Sequence, residues 1–201
     1  MKHLHCYIIS PVNGVYNNKK QVDKKELILN TSIEDHKFVN RIGKIIETPI
    51  NNPILKVNDE VIVHHNIFRR FYGMNGIDKY GSSFFQENKY FCYIDQIFLY
   101  KRNNKWKTIE GFSFVKPVFN QNKFNESKEK PLVGVLKHVS PRLRSLNLKK
   151  DDLVGFTENS EYEFVFDNKR LYRVPDNSIA INYGTQENEI EYNPSWLQSG
   201  T

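Results

Sequence analysis

Cysteine is scarce in this chain: Cys6 and Cys92 are the only two among 201 residues. Two thiols cannot staple a fold of this length, which excludes a disulfide scaffold and leads us to expect a reducing compartment. Long apolar runs are missing too. No stretch of about 18 apolar residues occurs, so a transmembrane helix is excluded. The apolar run within residues 1–14 is short and has no small-residue cleavage site, so no signal peptide is read and a cytoplasmic location is expected. Alanine is represented by Ala180 alone, which counts against helices. There is no glycine-rich loop leading into a helix, so nothing supports ATP binding.

What is present is β-rich. Apolar residues make up 39% and aromatics 13%, enough to build a core at this length. The 29 basic and 23 acidic side chains leave a net charge of +6, which is modest for a nucleic-acid binder. Hardly any segment places apolar residues at helical spacing over three turns. Short strand-like runs recur instead, separated by Asn, Asp, Gly and Pro. They are Tyr7–Ile9, Leu27–Leu29, Gly43–Ile46, Glu60–Val63, Tyr90–Tyr93, Ile97–Tyr100, Phe112–Val115, Val133–Leu136, Leu153–Phe156, Tyr162–Phe166, Arg170–Val174 and Ile179–Ile181. Such spacing predicts an all-β barrel or sandwich. The stretch from Glu161 to Val174, broken at Asp167-Asn168-Lys169, predicts a β-hairpin.

Four blocks recur in the same order in the two halves. Strand then proline at Ile8–Val12 returns at Phe114–Val118. Gly43–Ile46 returns at Gly134–Lys137, and Leu55–Val61 at Leu148–Val154. The run Tyr90–Ile97 is matched from Leu171 onward, with Ile179 one residue late. The halves divide near Glu110-Gly111, at about 100 residues each.

This order of blocks resembles the GroES co-chaperonin family. The resemblance implies two tandem GroES-like β-barrels. Residues 1–110 would be the first, with a mobile loop over 13–35 and an insertion over 66–89. Residues 111–184 would be the second, followed by a C-terminal tail over 185–201. Asn58 and Asp151 stand where the family has a turn glycine; Asn and Asp are the residues that best tolerate a positive φ there. The family's mobile loop carries a short apolar anchor, which the resemblance places at Leu27, Ile28 and Leu29; an ordinary strand of the first barrel is the other reading of that tripeptide. A buried Leu or Ile contributes about 1.5–3 kcal/mol. Ordering a polar loop offsets part of that, so each contact is weak and a ring restores strength through avidity. The second half's loop, residues 120–130, offers only Phe124.

The implied function is a non-enzymatic co-chaperonin that caps a GroEL-type chaperonin ring, with no cofactor and no catalytic residue of its own. A homo-oligomeric ring is implied as well, through edges at Leu4, Tyr7, Ile8 and Ile9 on one side and Ile179, Ile181 and Tyr183 on the other. The alternative is a phage or virion structural or assembly protein of the host cytoplasm that keeps the barrels without capping. Other chemistry finds little support. Adjacent histidines on a strand point to opposite faces, so His64-His65 is not expected to chelate a metal. Cys92 lies in a β-rich run and reads as structural. The insertion interleaves Phe68, Arg69, Arg70, Phe71 and Tyr72. It reads as a hairpin packed on the first barrel, with a protein interface or a nucleic-acid surface as alternatives.

Overall fold

The computed structural model describes residues 3–17, 19–22, 25–28, 35, 36, 38–51, 53–120, 128–167, 169–185 and 189–194. The chain is all-β and falls into two compact units, one ending at Trp106 and the other beginning at Lys107.

The first unit is built on β1 (Tyr7–Pro11), β4 (Ile42–Glu47), β5 (Glu60–Val63), β8 (Phe84–Gln86), β9 (Lys89–Cys92), β10 (Ile97–Arg102) and β11 (Lys105–Thr108), the last crossing the boundary. These form one sheet in the order β11-β10-β5-β4-β1-β9-β8. Two separate ladders accompany it, β2 (Lys19–Val22) with β3 (Lys25–Ile28), and β6 (Arg70–Tyr72) with β7 (Asp78–Tyr80). The second unit holds β12 (Phe112–Phe119), β13 (Glu129–His138), α1 (Pro141–Ser145), β14 (Asp152–Phe156), β15 (Tyr162–Phe166), β16 (Lys169–Pro175) and β17 (Ile179–Thr185). Its sheet runs β15-β16-β12-β13-β14-β17.

Each of the twelve expected runs falls at least in part on a strand. The β10–β11 hairpin turns on Asn103 and Asn104, both at positive φ (53° and 60°), the geometry that a tight two-residue turn demands.

The two sheets share one pairing scheme. Reading outward from the last strand, β10-β5-β4-β1-β9-β8 corresponds to β17-β14-β13-β12-β16-β15. The registers agree as well. Pro11 faces Gly43 across β1 and β4, and Pro117 faces Gly134 across β12 and β13. Each pair carries a register shift at the same place, between Ile8 and Ile9 and between Phe114 and Val115. In the fourth block the pairing sets Tyr90 against Ile9 and Tyr172 against Val115. Tyr90 therefore corresponds to Tyr172, one residue on from the match that the sequence suggested, and Ile97 comes into step with Ile179.

The turns match atom for atom. Asn58 (φ 73°) donates its N–H to Ile45 O, and Asp151 (φ 71°) donates to Leu136 O. Asp59 Oδ2 accepts from Lys56 N and Asp152 Oδ2 from Lys149 N, each at 2.8 Å. Each aspartate also ties down its sheet's last strand. Arg102 of β10 forks onto both oxygens of Asp59, and Thr185 of β17 donates to Asp152 at 3.0 Å. Burial pushes the Asp59 carboxyl up, but Arg102 and the Lys56 N–H together hold it below the usual carboxylate value.

Tyr7, Ile8 and Ile9 are core residues, at most 3% exposed, and β1 is paired over Tyr7–Ile9 with β9 on one edge and over Ile8–Pro11 with β4 on the other. The expectation that they form an outer edge is corrected: of the four expected edge residues on this side only Leu4 is exposed, at 60%. Residues 189–194, beyond β17, return to the second sheet. Val118 bridges Glu191, and Tyr192 N–H donates to Pro117 O at 2.8 Å. The buried Lys116 amine meets Asn193 Oδ1 at 2.7 Å.

A Cβ on Gly134 would lie 2.9 Å from the Lys116 carbonyl oxygen, whereas at Gly43 the nearest atoms are side-chain carbons at 3.2 Å. We predict that Gly134→Ala destabilises the fold by about 1–3 kcal/mol. Gly43→Ala costs less, because side chains yield where backbone does not. Denaturant midpoints of the two variants against wild type check the order.

Candidate functional site

The arm is the first candidate. Between β1 and β4 the chain closes a base before leaving the sheet. Val12 N–H donates to Ile42 O, Asn40 N–H to Val15 O, and Asn17 N–H to Phe38 O, at 3.0, 2.9 and 2.7 Å. Tyr16 bridges Val39. The Asn40 side chain, 2% exposed, stitches this base together: its Nδ2 donates to Val12 O and Gly14 O, and its Oδ1 accepts from Ile42 N. Positive φ at Asn13 and Gly14 turns the chain where the base begins.

Beyond the base, Lys19–Ile28 and Lys20–Leu27 are paired positions of the β2–β3 ladder, which among the described residues belongs to neither sheet. Of the expected anchor residues, Leu27 and Ile28 therefore lie on β3, and Leu29 lies outside the described residues. The alternative reading of an ordinary strand holds in part. It is a strand, but its partner is the arm itself. In the second unit the matching loop is closed early, where Asn120 N–H donates to Lys128 O at 2.9 Å.

The second candidate is β17, an edge of its sheet. Ile181 and Tyr183 are 50% and 47% exposed, and Ile179 is half-buried. Beside it lies a groove of about 400 Å³, walled by Leu143, Leu146 and Leu148 and by Ile179–Asn182. A buried polar chain shapes that groove. Ser113 Oγ–H donates to Asp176 Oδ1 at 2.8 Å and accepts from Ser140 N at 3.0 Å; Ser140 Oγ in turn accepts from Leu143 N and caps α1. Asp176 is 4% exposed and its other oxygen, Oδ2, has no hydrogen-bond partner. Proline at the first helical position and this serine cap explain a helix that the apolar pattern does not announce.

The insertion is both anchored and exposed. Phe68, Tyr90, Phe84 and Tyr80 form a ladder of ring contacts, ending in a Tyr80–Phe84 stack at 3.9 Å. Arg70 is ion-paired with Asp78 and covers the Tyr80 ring. Phe71, Tyr72, Met74 and Ile77 remain exposed around the β6–β7 turn.

The histidine expectation is corrected. Strand β5 ends at Val63, and a 3-10 turn over His65–Ile67 swings the second imidazole round. The His64 and His65 rings therefore stack at 4.2 Å instead of pointing apart. Among the described residues no three His, Cys, Asp or Glu side chains are grouped to hold a metal. Cys92 is fully buried, and burial pushes its thiol well above the ordinary value, the state of a structural cysteine. No helix among the described residues is long and apolar enough to cross a membrane.

Ser113→Ala would leave both Asp176 oxygens without a partner in a buried site. We predict a loss of about 1–3 kcal/mol of stability, readable as a lowered thermal midpoint. An unchanged midpoint would remove the polar chain as the support of β17 and the groove. Comparison of this chain with protein-family models, with curated proteins and with solved structures finds no match.

Proposed function

We propose that this chain is a non-enzymatic co-chaperonin of tandem GroES-like barrels, a ring-forming subunit that caps a GroEL-type chaperonin and grips it with the arm. The observation that carries the reading is the arm itself. It leaves the first sheet between its first two long strands, from a base closed by backbone hydrogen bonds and by Asn40, and it carries Leu27 and Ile28 on β3, whose ladder partner among the described residues is β2 of the same arm. An apolar pair on a polar segment suits weak, reversible docking in a partner's groove, with the ring supplying avidity. ATP chemistry belongs to the partner in this reading.

Ring formation is supported by an unequal pair of edges. In the first sheet β11 covers the outer edge of β10 and the chain then enters β12. In the second, β17 matches β10 but has no covering strand among the described residues. Residues 3–6 lead into β1 as β11 leads into β12, and Leu4 on that segment is exposed. A second copy's N-terminal segment laid along β17 would complete the pattern head to tail.

Two measurements test this. In a pulldown and ATPase-suppression assay with a GroEL-type ring, wild type binds and slows turnover, and Ile28→Asp loses at least about tenfold in affinity, the order expected for one buried aliphatic. Equal binding by both sinks the anchor. Absence of binding by wild type sinks capping and favours the phage or virion assembly reading. In light scattering, wild type gives a multiple of 23.8 kDa and Ile181→Asp shifts toward that single-chain mass. A wild-type monomer overturns the ring.

A further inference from the structure

The base of the arm meets the first sheet at a cluster of basic side chains. His36, at the return of the arm, lies 5.5 Å ring to ring from His65, which stacks on His64 at 4.2 Å. His64 Nδ1 accepts a hydrogen bond from Asn66 N, so this nitrogen carries no proton in the docked arrangement. The edge of the His64 ring contacts Phe98 of β10. His64, Arg41 from the segment entering β4, His36 from the arm and Arg69 beyond the 3-10 turn, all basic, act to keep His65 uncharged. Arg41 is 8% exposed, and Arg69 Nε is buried with no hydrogen-bond partner. Asp35, beside His36 in sequence, is the carboxylate at the arm's return.

We propose that His36, His64 and His65 form an acid-sensitive latch, which holds the base of the arm on the sheet at neutral pH and releases it as the pH falls below about 6. Neutral imidazoles stack without repulsion. A proton on His65 adds a positive charge where His64, Arg41, His36 and Arg69 already act against one, and a proton on His64 Nδ1 also removes the acceptor for Asn66 N–H. Swinging the arm's return away relieves the repulsion and lets water reach the rings.

Burial first, and then the neighbouring basic groups, pull His65 down to about 3 in the docked state. A released imidazole titrates near about 6.5. The docked state is therefore fully favoured above about 6.5 and loses ground as pH falls toward 3, by up to about tenfold per pH unit for each imidazole that the docked state keeps neutral. The latch concerns the base of the arm alone and stands whether or not the arm binds a chaperonin.

Amide hydrogen-exchange protection reads it directly, corrected for intrinsic exchange. The reporters are the Asn17 and Asn40 N–H groups, which span the base, with Ile45 N–H of β4, bonded to Asp59 O, as the internal reference. Between pH 7.5 and 5.0 the two reporters lose at least about tenfold in protection and the reference does not. His65→Asn, on the sheet, flattens that dependence, and His36→Gln, on the arm, weakens it. Protection that is constant with pH in wild type overturns the latch, as does the same fall in the His65→Asn variant. A fall shared by the reference amide shows global acid unfolding and overturns it too.

Discussion

Where the second long strand of each sheet pairs with the first, the residue facing the proline is a glycine with little room for a side chain, least of all in the second sheet, where backbone is the obstacle. Gly134 lies against the Lys116 carbonyl and Gly43 against Ser10 and Ile9. Much else is set by that approach. It aligns β4 on β1 and β13 on β12 with the same register shift one turn of pleat earlier. In a sheet with one buried face, register decides which residues enter the core. Ile9 and Ile45 enter one core, Val115 and Leu136 the other. Glycine and proline at those two positions are thus more than punctuation, because they hold the ladder from which every later strand is hung.

Much of this was legible in the sequence because the signals are local. Strand runs rich in Ile, Val and Phe carry their own pattern, and the Gly and Pro that bound them are unambiguous. The recurrence of blocks made the shared pairing scheme legible too, apart from a one-residue slip at Tyr90 and Tyr172, where two similar aromatic runs align equally well. What escaped is tertiary. Strands of three residues such as β6, β7 and β8 are too short for periodicity to show. The helix α1 rests on Ser140 and Pro141, not on an apolar stripe. The burial of Tyr7, Ile8 and Ile9 could not be read from their own residues, since whether a strand lies central or at an edge is decided by β9, more than 75 residues away in the chain. The His64-His65 contact escaped for a related reason: a strand that stops one residue early reverses which way a side chain points.

The two units keep a common frame and differ at its margins. The first spends length between its first two strands, building an arm over a base that Asn40 holds closed. The second shuts the matching loop between Asn120 and Lys128. Conversely, the first has its last strand covered by β11, and the second leaves β17 exposed beside a groove. Loss of symmetry between repeated units lets each specialise without disturbing the register that both require. In the proposed reading one unit reaches for a partner and the other offers an edge to the next copy.

The buried Lys116 shows how far the second unit depends on the residues beyond its last strand. Its amine sits on the central strand at a position with almost no access to water, and burial draws its pKa down despite the attraction of Glu191. A lysine there is tolerable only if a partner satisfies it, because an isolated buried ammonium is far costlier than a paired one. Asn193 supplies that partner at 2.7 Å, Glu191 stands within 3.9 Å, and Tyr192 places its backbone on Pro117 between them. Arg170, equally buried on the adjacent strand, leans on the Tyr192 ring and pairs with Glu163 and Glu129. The segment after β17 is therefore part of the unit's polar core. It keeps charged side chains on β12 and β16 compatible with a folded sheet, and it does so away from the edge that β17 itself presents.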